Sequence, residues 1–178
     1  TEEGIDEIHR AAQKLKENGL TKYDVVYTSY LKRAIKSTWT LLGDIDKAYL
    51  PIKTSWRLNE QMYGALEGKS KDEMVANFGV DVVQKWRRSY ETPPPGAIVG
   101  DEEVGRYFPM GDKKYKDIVE TEAPDCWSGS TYTESLKDTQ ARVWNLWHND
   151  IARRIRNNED VLVVTHGNTF RAFLKRLD

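Results

Sequence analysis

Apolar residues recur at helical spacing early in the chain and then give way to short continuous apolar runs. Apolar positions follow Thr1-Glu2-Glu3 on one face until Asn18-Gly19, which predicts a helix with an acidic first turn and a glycine stop. The segment from Asp24 to Ser29 predicts a short strand, and apolar positions from Leu31 to Leu42 predict an amphipathic helix. The first predicted elements are therefore helix, strand and helix.

Further short elements continue this alternation. Leu50-Pro51-Ile52-Lys53 predicts another short strand, which Pro51 restricts to a strand start or a sheet edge. Short helices are predicted from Lys71 to Asn77 and from Val80 to Arg88. From about residue 93 to 130, glycine, proline, charged and aromatic residues follow no sustained period. This pattern predicts an irregular excursion.

A long helix and a strand are predicted after the excursion. Thr133 or Ser135 can cap a helix whose apolar positions run from Leu136 to Ile155 and which ends near Asn157-Asn158. The run Val161-Leu162-Val163-Val164 fits a strand covered on both faces. A further helix follows this strand.

Alternating strands and helices predict an α/β fold. We expect a three-layer sandwich, in which helices cover both faces of a mostly parallel sheet, within a single domain over residues 1–178. Only two or three strands are recognisable in the sequence, whereas sheets typically have about four to six. We therefore expect a fold that is incomplete at both termini.

Composition narrows the classes of partner. Apolar residues make up 39% of the chain and charged residues 31%, and no apolar run approaches the about 20 residues of a membrane span, so we expect a soluble protein. The net charge of −1 gives no broad electrostatic reason to bind nucleic acid or an anionic membrane. The single cysteine, Cys126, cannot form an internal disulfide, which favours a reducing, cytoplasmic compartment.

His166 and Arg33 are the first candidates for chemistry. His166 follows the last predicted strand, and ligands of open α/β sheets bind at the carboxyl ends of strands. Gly167 would let the backbone approach such a ligand closely. The alternative is a structural, hydrogen-bonded histidine. Arg33 occupies a helical first turn, where the helix dipole disfavours a cation unless an anion binds there.

Other charged residues have both functional and structural interpretations. Glu60 lies in a glycine-containing irregular segment with Tyr63, so it is a candidate general acid or base or a surface glutamate paired with an arginine. Lys71 and the Arg87-Arg88 pair either bind an anion or face solvent. The three histidines lack metal-ligand spacing, so we expect no required metal.

Taken together, seven segments resemble the 2,3-bisphosphoglycerate-dependent phosphoglycerate mutases of the histidine phosphatase superfamily. The match runs in order along nearly the whole chain and is loosest between Gly96 and Trp127. The segments are Leu31-Lys32-Arg33-Ala34-Ile35, Ser55-Trp56-Arg57-Leu58-Asn59-Glu60, Tyr63-Gly64-Ala65-Leu66, Trp86-Arg87-Arg88-Ser89-Tyr90, Thr92-Pro93-Pro94-Pro95, Glu134-Ser135-Leu136-Lys137-Asp138-Thr139 and His166-Gly167-Asn168.

The resemblance implies a glycolytic isomerase that interconverts 3-phosphoglycerate and 2-phosphoglycerate through a phosphohistidine. It implies 2,3-bisphosphoglycerate as the primer, no metal, a small phosphorylated three-carbon acid as the substrate, and a possible homodimer. His166 would be the second active-site histidine, Arg33 would hold the transferring phosphoryl group, and Glu60 would move protons to and from the substrate hydroxyl. The implied substrate-binding residues are Tyr63, Lys71, Arg87, Arg88, Gly167 and Asn168.

Two departures from the family pattern change these expectations. Family members usually place Arg-His after the glutamate of Leu-Asn-Glu, whereas this sequence has Gln61-Met62. The family's opening strand and its Arg-His-Gly motif, which carries the phosphorylated histidine, are absent, and His9 lies in a helix pattern. We therefore expect a fragment that is inactive alone. The alternatives are a bisphosphoglycerate mutase or phosphatase, or a catalytically dead module that retains an anion pocket.

Overall fold

The computed structural model describes residues 1–97 and 133–177. Its residues group into two compact units, Thr1–Glu60 with Val143–Phe170 and Gln61–Arg142 with Arg171–Asp178. The predicted excursion lies outside the described residues except for the segment 93–97, which is irregular. The prediction of a single domain stays a prediction.

The first unit contains a parallel sheet. Among the described residues it has three strands, β1 (Val25–Thr28), β2 (Ile52–Thr54) and β3 (Val161–Val164), in the order β2-β1-β3. β1 lies in the centre and is fully buried, while β2 lies at an edge, as Pro51 predicted. Because all three strands run in the same direction, their carboxyl ends meet at one edge of the sheet.

Helices lie on both faces of this sheet. On one face, α1 (Glu2–Glu17) and α2 (Lys32–Asp44) pack over a core that includes Val26 and Leu42. On the opposite face, the Tyr27 hydroxyl accepts a hydrogen bond of 2.7 Å from Arg154 Nε in α6 (Ala152–Arg156). The predicted α/β architecture is therefore confirmed.

The prediction that β3 is covered on both faces is wrong. Leu162 and Val164 pack against the core under α1 and α2, but Val163 is 38% exposed. β3 is an edge strand of the described sheet, and successive side chains point to opposite faces. The face that carries Val163 is therefore only partly covered, although the strand is continuously apolar.

The long predicted helix is present but is not regular. It consists of α5 (Leu136–Leu146), a π-helical turn (Trp147–Ile151) and α6. Ser135 caps α5, because its Oγ accepts from the Asp138 N–H at 3.2 Å while its own N–H donates to the Asp138 carboxylate at 2.9 Å. Thr133 instead donates to the Pro94 carbonyl at 2.8 Å.

The second unit includes two short helices, α3 (Lys71–Phe78) and α4 (Val80–Arg88), which extend over the predicted ranges. Ser70 caps α3, and Gly79 separates the two helices with a φ of 81°. Leu66, Met74 and Val83 form a small apolar core.

The helix after β3 is α7 (Gly167–Leu177). Within residues 1–97 and 133–177, no helix is long and apolar enough to cross a membrane.

Candidate active site

Polar side chains meet at the carboxyl edge of the sheet. Ser29 directly follows β1, and His166 lies two residues after β3. The Ser29 Oγ and the His166 Nε2 are 2.8 Å apart, although the two residues are 137 positions apart in the sequence. Both side chains are buried. The imidazole that follows β3 therefore lies at the carboxyl edge of the sheet, as predicted. Its hydrogen-bond partner, Ser29, follows the neighbouring strand β1.

A second contact defines the protonation pattern of the His166 ring. Arg33 Nε donates to His166 Nδ1 at 3.3 Å, and a guanidinium has only donors, so Nδ1 acts as an acceptor. We therefore assign the ring hydrogen to Nε2, from which the ring donates to Ser29 Oγ. The same Oγ also accepts the Leu31 N–H at 3.2 Å. The ring is thus held from both nitrogens.

Asn59 connects the loops at this edge. Its side-chain oxygen accepts from the Tyr30 N–H at 3.0 Å, and its main-chain carbonyl accepts from the Thr169 hydroxyl at 2.8 Å. Thr165 adds a bond of 2.9 Å from its hydroxyl to the Leu58 carbonyl. These bonds join the segments that follow all three strands, which fixes the frame around His166.

Glu60 directly follows Asn59, is half-buried, and is the last residue of the first of the two segments that form the first unit. Its placement on an irregular segment after β2 agrees with the predicted location. Its role as a general acid or base stays a prediction.

Two helix N-termini add a positive field to the edge. α2 begins at Lys32 with no side-chain cap and with no acidic residue in its first turn, where Arg33 also lies. α7 begins at Gly167, directly after His166, and also has no acid in its first turn. Among the described residues, a Cβ atom built on Gly167 would meet no atom within 4 Å apart from the adjoining helix backbone. The two helix dipoles and the Arg33 guanidinium together favour an anion here.

A cavity of about 650 Å³ opens beside these groups. Its lining includes the polar residues His166, Arg33 and Thr165, together with the apolar residues Ile5 of α1 and Trp39 of α2. Its volume falls within the range of small-molecule sites. The cavity therefore gives a ligand access to the anion-favouring edge.

The other predicted substrate-binding residues lie at several places. Asn168 is half-buried in the first turn of α7. In the second unit, the guanidinium of Arg87 lies over the Tyr63 ring, 5.1 Å from its centroid, so the structure brings this pair together. Lys71 and Arg88 are exposed at the start of α3 and the end of α4. The proposed roles of these residues in binding stay predictions.

Sequence reasoning missed Ser29, Asn59 and Thr169 as parts of the site. Ser29 and Asn59 carried a usable signal, since Ser29 is the polar last residue of one predicted strand and Asn59 is a polar residue in the segment after another. The described part of the chain contains no cluster of three or more His, Cys, Asp or Glu residues suited to a metal ion. The prediction that no metal is required remains a prediction.

The fold is similar to several solved structures. A mycobacterial glucosyl-3-phosphoglycerate phosphatase is 19% identical, with a TM-score of 0.62, and the match covers 99% of this chain and 67% of that protein. Phosphoglycerate mutase from Bacillus anthracis is 18% identical, with a TM-score of 0.63 and coverage of 100% and 68%. The alpha-ribazole phosphatase from Shigella flexneri is 17% identical, with a TM-score of 0.54 and coverage of 99% and 66%. The chain thus spans about two thirds of each of these proteins.

At these identities, the structural similarity shows the fold alone. A family model reaches further, because the one described as histidine phosphatase superfamily (branch 1) matches residues 1–107 and 106–178. These ranges cover the whole sequence, including the segments that carry Arg33 and His166. The chain therefore belongs to branch 1 of the histidine phosphatase superfamily.

Proposed function

We propose that this chain forms the phosphoryl-binding part of a phosphoglycerate mutase that interconverts 3-phosphoglycerate and 2-phosphoglycerate. The observation that carries the proposal is the Ser29–His166–Arg33 arrangement at the carboxyl edge of the sheet. A transferring phosphoryl group spreads negative charge over its oxygens, so positioned cations and donors supply most of the catalysis. Arg33, His166 and two helix N-termini fit that requirement without a metal.

The proposed chemistry passes a phosphoryl group between a histidine nitrogen and a substrate hydroxyl. The phosphorus–nitrogen bond breaks as a phosphorus–oxygen bond forms, and Glu60 takes the proton that the hydroxyl loses. The reverse transfer from 2,3-bisphosphoglycerate would prime the histidine. His166 and Arg33 would hold the phosphoryl oxygens during both steps, and His166 Nε2–H is a suitable donor once it leaves Ser29.

The phosphorylated histidine of this scheme is not one of the three in the sequence. His9 Nδ1 lies 2.5 Å from a carboxylate oxygen of Asp44, between α1 and α2, and His148 is exposed in the π-helical turn. The phosphoacceptor role is therefore assigned to neither of them. Mutase turnover would require an Arg-His-Gly segment in addition to these 178 residues.

A phosphatase is the second candidate, and Gln61 is the observation that favours it. Gln61 is 2% exposed and its amide donates to the Glu134 carbonyl at 2.6 Å. The position after Glu60 thus offers no guanidinium to a substrate. With fewer contacts, the site would bind the substrate whose hydroxyl accepts the phosphoryl group less tightly. Water would then compete better for the phosphoryl group of the phosphohistidine.

The test has a binding arm and a turnover arm. Isothermal titration of this chain with inorganic phosphate and with 3-phosphoglycerate measures the proposed site directly. We expect Arg33→Ala and His166→Ala to weaken binding of both ligands at least about tenfold, since a charge-assisted contact contributes about 1.5–3 kcal/mol. Arg10→Ala, which removes an exposed guanidinium on α1, serves as the control and should change nothing.

Steady-state rates of the natural polypeptide that contains this chain separate the candidate functions. Mutase, synthase and phosphatase activities are measured side by side, with and without 2,3-bisphosphoglycerate. Dominant, primer-dependent mutase activity is expected. Dominant phosphate release would favour the phosphatase, binding without any turnover would favour an anion-binding module, and no binding at all would refute the phosphoryl site.

A further inference from the structure

The two residues before Tyr63 are fastened to Glu134 within the second unit. Gln61 Nε2 donates to the Glu134 carbonyl at 2.6 Å, and the Glu134 N–H donates to the Met62 carbonyl at 2.9 Å. The Met62 N–H in turn donates to the Glu134 carboxylate at 3.0 Å. Side-chain and main-chain bonds thus fix the backbone that leads into Tyr63.

Arg142 binds the Glu134 carboxylate, which accepts the Met62 N–H. Its Nε and Nη2 donate to the two oxygens of Glu134 at 2.6 and 2.8 Å, and the side chains of Arg142 and Glu134 are only 5% and 1% exposed. A buried ion pair adds little net stability, because the loss of hydration offsets much of the attraction, although removing one partner is costly. The pair is therefore better explained by the geometry that it imposes than by stability.

The backbone after Tyr63 is constrained as well. Gly64 adopts a φ of +55°, and a Cβ built there would lie 2.3 Å from the Pro95 carbonyl oxygen. The same oxygen accepts the Ala65 N–H at 2.9 Å, and Tyr63 itself forms an antiparallel bridge with Thr133. The backbone at Tyr63 is consequently constrained on both sides.

We propose that Glu134 and Arg142 are positioning residues that orient Tyr63, and through its ring Arg87, for the carboxylate of the substrate. This inference rests on the proposed function. Arg87 is exposed and has many rotamers, but its guanidinium lies 5.1 Å from the Tyr63 ring centroid. A constrained backbone at Tyr63 limits the positions of its ring, and the ring in turn restricts that guanidinium before the substrate arrives, which lowers the entropy lost on binding.

Paired substitutions test this role in the intact chain. Glu134→Leu with Arg142→Leu removes the ion pair and the acceptor for the Met62 N–H without leaving a lone buried charge. We expect about tenfold weaker binding of 3-phosphoglycerate, faster hydrogen exchange at the Met62 amide and unchanged affinity for inorganic phosphate. Glu134→Gln with Arg142→Leu restores an acceptor for that N–H and should recover most of the affinity.

The exposed pair Lys137–Glu91, whose side chains are 60% and 73% exposed, provides the matched control. Lys137→Met with Glu91→Leu should leave both affinities unchanged. If the variant Glu134→Leu with Arg142→Leu does not fold, then Glu134→Gln with Arg142→Leu and the single variant Arg142→Lys are compared with the wild type instead. The melting temperature is measured for each variant. A lower melting temperature with unchanged 3-phosphoglycerate affinity would overturn the positioning role. Failure of the wild-type chain to bind 3-phosphoglycerate would instead overturn the proposed function.

Discussion

At the scale of single residues, His166 is defined by what its two ring nitrogens contact. Ser29 Oγ lies 2.8 Å from Nε2 and Arg33 Nε lies 3.3 Å from Nδ1. An anion that attracts the Arg33 guanidinium would compete with Nδ1 for it. The contact that fixes the ring in the free protein is therefore also the one that a phosphate is expected to alter.

A different polar group, Asp150, couples stability to pH. Burial raises the pKa of Asp150, but a hydrogen bond from Tyr27 and the nearby Lys53 and Arg154 outweigh it, so the pKa lies below its usual 3.8. Burial and, next, the same hydrogen bond raise the pKa of Tyr27 to about 12, which keeps its hydroxyl protonated as the donor. A lowered carboxyl pKa contributes stability above the unfolded-state value, and this contribution is lost as the pH falls through the folded-state value.

Asp150→Asn should therefore lower the free energy of unfolding at pH 7 by under about 1 kcal/mol, since the side chain is partly exposed and screened. The difference between variant and wild type should shrink as the pH falls below about 4. Urea unfolding at pH 7, 5 and 3 measures it. Asp81→Asn, at an exposed site on α4, controls for the loss of one charge, and a pH-independent difference at position 150 would contradict the coupling.

At the scale of elements, the start of α5 depends on a reciprocal cap. Ser135 Oγ accepts the Asp138 N–H, and the Asp138 carboxylate accepts both the Ser135 N–H and, at 2.6 Å, its hydroxyl. Ser135→Ala should lower the free energy of unfolding by about 1 kcal/mol, the usual cost of losing such a cap. Chemical denaturation of the variant checks the value.

Lys137→Ala provides the control for this cap, because it changes an exposed residue in the same helical turn. Its effect should stay within about 0.5 kcal/mol. Equal losses in the two variants would mean that the cap contributes nothing specific to α5.

Local sequence signals predicted most elements well, because caps and apolar periodicity act over a few residues. Thr1 and Asn18 delimit α1 as expected, and Ser70 and Gly79 delimit α3. The π-helical turn was not predicted, because the chain stays helical through it and the apolar pattern therefore still predicts one continuous helix. The exposure of Val163 was missed for another reason, since a continuous apolar run does not reveal whether a neighbouring layer covers it.

The site was predictable only in part. Arg33 and His166 were predicted as site residues from their positions. Arg33 is a cation in the first turn of a helix, and His166 follows the carboxyl end of a strand, where ligands bind. Their contact with one another, and the participation of Ser29, arise from strand pairing between segments more than 130 positions apart. Register across a parallel sheet has no local sequence signature, so these distances follow only from the fold.

At the scale of the whole molecule, the net charge of −1 gives no general attraction for anions. Any affinity for phosphate must therefore come from a local field, and the proposed site assigns it to Arg33, His166 and the N-termini of α2 and α7. A ligand that binds only the folded state raises the free energy of unfolding by about 2.7 kcal/mol at 100 times its dissociation constant. Phosphate binding at this one site should thus be measurable as an increase in the free energy of unfolding of the whole protein.

Thermal unfolding in increasing inorganic phosphate should show a rising melting temperature, with sodium chloride at matched ionic strength as the reference. Arg33→Ala and His166→Ala should abolish most of the increase, because each removes a contact to the anion, whereas Arg10→Ala should retain it. An equal increase in chloride would assign the stabilisation to general salt effects, and an undiminished phosphate effect in both site variants would place the phosphate at another site. A phosphate-specific increase that disappears with Arg33 would locate the anion at the start of α2, where the dipole and the guanidinium act together.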